Sequence, residues 1–256
     1  MSQLMKQSFL PISKLSNEPY SRILGFPKAS KRQLQSRIKE LNKLKIKRIS
    51  FEGNTLIGKL NVLGKGYVGI VVLGKMQDMK TAVKIRRTDS PRDRMKGEAE
   101  FLKIANDVKV GPKLIGSSKN FMVMEYLAGK RIVDWIKELK GKGSASKLKL
   151  IARKILEDCY KLDQIGLDHG ELSSITKHVI VGKKITLLDF ESSSTDRRVS
   201  NVTSATQGLY IGSGISKYIK RIYKIPSKQK IIDALRAYKK EQTRENFDNV
   251  LSVLKL

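Results

Sequence analysis

Residues 63 to 71 read Leu63-Gly64-Lys65-Gly66-Tyr67-Val68-Gly69-Ile70-Val71, and the chain soon reaches Ala82-Val83-Lys84. The glycines Gly64, Gly66 and Gly69 fit the spacing G-x-G-x-x-G-x-V. Without a Cβ, such a loop bends tightly and lets a phosphate approach the backbone closely. Its successive N–H groups can cradle anionic oxygens. The spacing alone is a weak signal, because dinucleotide sites use it at the start of a helix. The flanks separate the two cases. Leu60-Asn61-Val62-Leu63 before the loop and Ile70-Val71-Val72-Leu73 after it are short and aliphatic, so both read as strands. A solvated glycine hairpin is the plain alternative for the loop by itself. Lys84 argues against it: a lysine in an apolar run needs an anionic partner, and a phosphate and a helix carboxylate would supply two.

The carboxylate follows at the expected distance. Met95, Ala99, Leu102 and Ala105 recur at near-helical spacing within Arg92 to Asp107. Glu98 lies beside that apolar stripe, three residues before Phe101 and four before Leu102. Glu100 points about 200° away around the helix. Glu98 is therefore the expected partner of Lys84. Phe121-Met122-Val123-Met124-Glu125-Tyr126-Leu127-Ala128-Gly129 is an apolar strand running into a turn. A long helix follows from Ser144 to Gly166, with Ser144 or Ser146 as a start cap and Gly166 as a stop. Next come Asp168-His169-Gly170-Glu171-Leu172-Ser173, a strand-like Val179-Ile180-Val181, and Ile185-Thr186-Leu187-Leu188-Asp189-Phe190-Glu191. The last of these is an apolar, strand-like run that ends in Asp-Phe.

In this order the motifs resemble those of protein kinases, nearest to the atypical RIO and Bud32 groups and to archaeal Ser/Thr kinases with the same H-G-E-L-S and D-F-E wording. The resemblance spans roughly residues 55 to 200. It implies an α+β, two-lobed protein-kinase-like fold, with a small β-rich N-lobe carrying one key helix and a helical C-lobe. Residues 1–50 then form a basic N-terminal extension with one helix, 51–125 the N-lobe, and 126–256 the C-lobe with basic C-terminal helices. The resemblance also implies ATP and Mg²⁺ as cofactors. Gly64, Lys65, Gly66, Gly69, Val71, Ala82, Lys84 and Glu98 would meet ATP. Met124 would be the gatekeeper, and the main chain of Glu125 and Leu127 would meet the adenine. Asp189 would hold the metal, and Glu171, Lys84 and Asp189 would be catalytic. The acceptor would be a Ser or Thr hydroxyl of a protein substrate or of the chain itself.

The chain departs from the family pattern in four places. Glu171 stands where the related groups carry aspartate. The extra methylene moves the carboxylate by about 1 Å, and misplacement of that size can cost about 10²-fold in rate. The family's second metal ligand, an asparagine, is missing. Thr176 takes its place counted from Glu171, and His178 counted back from the strand at Val179. His178 reads either as a second metal ligand or as a surface histidine. Lys177 beside it is a candidate phosphate contact. Glu191 replaces the last glycine of D-F-G, and the segment that follows, Glu191 to Gln207, is rich in Ser and Thr rather than A-P-E-like. His169 reads as packing beneath the Asp189 strand. The alternative function is a nucleotide-binding pseudokinase or ATPase acting as a basic scaffold on RNA or an RNA-associated partner.

Charge is the second large signal. Lys and Arg number 52 against 24 acids, a net charge of +28 over 256 residues. Residues 1–60 carry net +10 and residues 197–256 net +9. Lys31 to Arg48 reads as a basic amphipathic helix with Leu34, Ile38, Leu41 and Leu44 on one face, and Lys217 to Lys240 interleaves basic residues with Tyr218, Tyr223 and Tyr238. Lysine-rich surfaces occur for solubility alone, but an excess this large favours a polyanionic partner, RNA or a ribonucleoprotein, at the basic ends. The lone cysteine, Cys159, excludes a disulfide framework and fits a cytoplasmic setting. No apolar run approaches a membrane span, so no membrane contact is expected.

Overall fold

A computed structural model describes residues 9–90, 93–212 and 214–256. It is a mixed α+β protein with a sheet in its N-terminal region and a helical C-terminal half. The chain divides into two compact units. The first holds residues through Glu100 together with Pro112–Leu127, and the second holds Phe101–Gly111 together with Ala128–Leu256.

The first unit begins with β1 (Leu10–Pro11), a 3-10 turn (Ile12–Ser16), α1 (Ser21–Leu24) and α2 (Lys31–Lys43). There follow β2 (Arg48–Ser50), the hairpin β3 (Thr55–Ile57) and β4 (Leu60–Val62), β5 (Gly64–Lys65), β6 (Gly69–Met76) and β7 (Met79–Arg86). Helix α3 (Asp93–Asp107) contributes its residues through Glu100, and β8 (Leu114–Ser117) and β9 (Phe121–Glu125) complete the unit. The main sheet has seven strands in the order β1-β2-β6-β7-β9-β8, with β5 on β6.

Alternation along the strands sorts this sheet into two faces. Ile70, Val72, Val83, Ile85, Phe121 and Val123 join one apolar cluster with Ile12, Leu15, Ile23, Leu24, Leu34, Leu41 and Ile46. The N-terminal residues are thus a wall of the sheet's core, and β1 and β2 are two of its strands. Helix α2 starts at a capping box, in which Ser30 Oγ accepts from Gln33 N and Gln33 Oε1 accepts from Ser30 N. Its buried side differs from the apolar stripe read in the sequence. Arg37 is buried beside Leu34 and Leu41, while Ile38 is only partly covered. Arg37 donates to Leu24 O (2.6 Å) and to Asn120 Oδ1 (3.3 Å), which also accepts from Arg86. Burial lowers the Arg37 pKa to about 10.

The second unit contains β10 (Gly129–Arg131), α4 (Ile132–Glu138), α5 (Ser144–Gln164), α6 (Ile175–His178), β11 (Val179–Gly182), β12 (Ile185–Leu187), α7 (Asn201–Tyr210), α8 (Gly214–Ile222), α9 (Lys228–Lys240) and α10 (Arg244–Val253). Strands β10, β11 and β12 form a small antiparallel sheet. Helix α5 buries Leu148, Ile151, Ile155, Cys159 and Leu162 at three-and-four spacing. Neither Ser144 nor Ser146 caps it. Gly143, at φ 84°, turns the chain into the helix, and Ser144 Oγ instead donates to Gly141 O. At the far end, buried Asp163 accepts from Asn201 N and Nδ2, Val202 N and the Tyr238 hydroxyl. One carboxylate thereby fastens α7 and α9 to α5. Among the described residues, no helix is long and apolar enough to cross a membrane.

Candidate functional site

The first unit places four of the expected nucleotide residues on the sheet face opposite the apolar cluster. Lys84 in β7 pairs with Val71 on β6 and Met122 on β9, and Ala82 pairs with Leu73 and Met124. Residues directly opposite on paired strands share a face, so Val71, Ala82, Lys84 and Met124 lie together. Lys84 Nζ donates to Glu98 Oε1 at 2.7 Å, and both side chains are buried. The expected partnership is thus formed, whereas Glu100 is exposed and pairs with Lys96.

The glycine loop is the tip of the β5–β6 hairpin. Gly66 N donates to Gly69 O (2.8 Å), and Arg87 N donates to Val68 O (2.8 Å). Gly69 is required by the chain itself: a Cβ there would lie 2.9 Å from Ile85 O and 3.0 Å from Lys84 Cγ. The stem of Lys84 runs over the space that Gly69 leaves. A Cβ at Gly64 meets nothing within 4 Å, and one at Gly66 only Gly69 O at 3.7 Å. Internal packing does not demand glycine at these two positions. Lys65 projects over the Phe26 ring, with Nζ 4.7 Å from its centroid. The Glu125 N–H donates to Lys113 O (2.9 Å) and is not available to a ligand.

In the second unit, the segment after α5 is tightly held. Asp168 is buried. Its carboxylate accepts from Arg197 Nε (2.7 Å) and from Ser200 N (3.0 Å), and its main chain bridges to Ser194. His169 N donates to Asn201 Oδ1, tying the same segment to the Asp163 anchor. Gly170 has φ 87°, and a Cβ there would fall 2.5 Å from Ser192 O and from the Arg197 guanidinium. His169 lies beneath the Asp189 strand as the sequence reading expects, fully buried, with Nε2 donating to Leu188 O (3.0 Å). Burial, with a smaller push from His178, lowers its pKa to about 4, so the ring is neutral.

Glu171, His178 and Asp189 each place a ligand atom within 4.8 Å of the others. Asp189 takes φ 70°, a left-handed conformation that costs a non-glycine residue of order 1–3 kcal/mol. The surface reading of His178 does not hold: the side chain is buried, because α6 and β11 fold the residue inward beneath Leu188. His178 Nδ1 faces Leu188 O (3.3 Å) and its Nε2 faces Glu171 Oε2 (3.1 Å), so both nitrogens meet acceptors. A ring hydrogen on Nε2 donates to Glu171. With that hydrogen on Nδ1, the Nε2 lone pair and the Glu171 and Asp189 carboxylates can share a cation. The donor set therefore fits a divalent ion: the carboxylates suit Mg²⁺, and the imidazole adds a donor better matched to later divalent metals. Lys177 is exposed.

Sequence reasoning missed two participants. Ser192 Oγ donates to the other Glu171 oxygen, Oε1, at 2.7 Å. Arg197 clamps both Asp168 and Ser192 O. The Ser- and Thr-rich composition of Glu191 to Gln207 was the available signal, but it does not say which hydroxyl turns inward. No protein-family model matches the chain, and no curated protein matches it either.

Proposed function

We propose that this chain is an ATP-dependent phosphotransferase of protein-kinase-like, two-lobed architecture, passing the ATP γ-phosphate to a protein Ser or Thr hydroxyl. The observation that carries the reading is the buried Lys84–Glu98 pair beneath Gly69, on one sheet face with Val71, Ala82 and Met124. A buried ion pair contributes little net stability and is costly once either partner is lost, which makes an anion-positioning role the better account of it. Gly64 and Gly66, which internal packing leaves open, suit close approach of phosphate oxygens to the loop backbone. In the second unit, Glu171 accepts a hydrogen bond from the Ser192 hydroxyl, the property needed of a residue that orients or deprotonates an acceptor. Bound Mg²⁺ would neutralise phosphate charge, and Asp189 and His178 are the residues that would hold it. Two measurements test the reading. Millimolar Mg-ATP should raise the melting temperature, and ATP turnover by the wild type should be lost in Asp189→Ala. An unchanged melting curve rejects it. Binding without transfer to any acceptor leaves the pseudokinase in its place.

A second reading, contact with RNA, is favoured by the cation–ring pairs at Tyr218 and Tyr223 in the second unit. The Tyr218 ring carries Lys137 Nζ and the Arg221 guanidinium, each 5.7 Å from its centroid, and Tyr223 carries Lys149 Nζ at 5.2 Å. Basic groups interleaved with aromatic faces suit single-stranded nucleic acid, with phosphates on the cations and bases on the rings.

A further inference from the structure

Ser192 stands three residues after Asp189, and its hydroxyl already donates to the carboxylate proposed as the catalytic base. The backbone around it is pinned on both sides. Ser192 O accepts from the Arg197 guanidinium (2.5 Å), and Ser193 N donates to Phe190 O (3.1 Å). Ser194 exchanges both main-chain hydrogen bonds with Asp168, each at 2.9 Å. Main-chain pairing thus holds the Ser192 backbone where its hydroxyl reaches Glu171. The two Glu171 oxygens divide their work, Oε1 toward Ser192 and Oε2 toward His178. Ser192 thus occupies one of the positions from which a hydroxyl can meet the Glu171 carboxylate.

We infer that Ser192 is itself a phosphoacceptor, modified in cis at its own site; this rests on the phosphotransferase reading of Glu171 and Asp189. In the transfer, the Ser192 hydroxyl proton passes to the Glu171 carboxylate. The Ser192 oxygen bonds to the γ-phosphorus. The bond from that phosphorus to the β–γ bridging oxygen breaks, and ADP leaves with the electron pair. A phosphoserine here removes the hydrogen bond to Glu171 and sets a charge of about −1.5 to −2 beside a carboxylate. The modified chain then presents a poorer site to any other hydroxyl, so the reaction limits itself.

The test incubates the full chain with Mg-ATP over a tenfold range of protein concentration, with the site located by peptide mass. The expected result is phosphate on Ser192, approaching about one per chain, with a rate constant independent of protein concentration. Ser192→Thr should keep the modification. Ser192→Ala should lose it, retain the Mg-ATP melting shift, and keep transferring to an added Ser/Thr peptide after a long preincubation that slows the wild type. Glu171→Gln should leave Ser192 bare. Phosphate on an added acceptor or at another residue, with Ser192 bare, overturns this inference and leaves the phosphotransferase reading standing. A rate that rises with protein concentration overturns the cis assignment. Absence of both Mg-ATP binding and transfer overturns inference and reading together.

Discussion

The Lys84 ammonium sits 2.7 Å from the Glu98 carboxylate, and both side chains are almost sealed from water. Removing one partner strands a buried charge, so Lys84→Met and Glu98→Leu should each cost about 3–5 kcal/mol. The double variant Lys84→Met/Glu98→Leu should recover most of that loss, because a well-packed apolar pair replaces a buried ion pair at little cost. It should still fail to respond to Mg-ATP. Urea denaturation of the three variants, with and without nucleotide, checks this. A double variant no more stable than the singles would show that the pair is a structural necessity.

Two of the loop glycines, Gly64 and Gly69, should separate by role. Gly69→Ala meets Ile85 O and the Lys84 stem and should destabilise the protein by about 1–3 kcal/mol. Gly64→Ala enters open space and should stay within about 0.5 kcal/mol of wild type. Both should weaken Mg-ATP binding. A Gly64→Ala variant that binds nucleotide as tightly as wild type would mean that no phosphate approaches the loop there.

The imidazole of His178 should leave its mark on metal preference. Direct titration should show Co²⁺ binding at least about tenfold tighter than Mg²⁺, a difference of ~1.4 kcal/mol. Bound Co²⁺ also reports nitrogen ligation through its visible absorption. His178→Ala should abolish most of the preference and leave weak Mg²⁺ binding. Equal affinities in the wild type would assign His178 to packing alone.

Binding to single-stranded RNA should fall with salt, by a log–log slope of about 0.7 for each phosphate neutralised. Neutral substitutions at Lys137 and Arg221 should lower that slope. Tyr218→Ala should lower affinity by about 1–3 kcal/mol with little change in slope, because stacking is uncharged. Neutralising the exposed Lys43, Lys45, Lys47 and Arg48 tests the first unit separately. Arg37 contributes nothing to such contacts, being buried against Leu24 O. Affinity equal to that of a lysine-rich control protein, or an absent slope, would reduce the charge to a solvated surface.

Local chemistry determined much of this protein from the sequence alone. Glycine spacing between aliphatic runs placed the hairpin tip at Gly64–Gly69. Helical spacing of Met95, Ala99 and Leu102 selected Glu98 over Glu100, and Leu148, Ile155, Cys159 and Leu162 marked α5 almost to its ends. These signals are local because backbone conformation and one buried face are properties of a short segment. Only the tertiary structure decided which polar side chains are covered and by what. Arg37 sits in a helix that reads as a basic surface, yet Asn120, 83 residues away in sequence, holds it in the core. His178 reads as a surface histidine or a second metal ligand, and the fold of α6 turns it inward toward Leu188 and Glu171. Ser192 is one of several hydroxyls in a polar run, singled out by the Arg197 clamp and the Asp168–Ser194 bridge. Such choices arise from contacts between distant segments, where the cost of burying a polar group is offset by a partner that no local pattern can name.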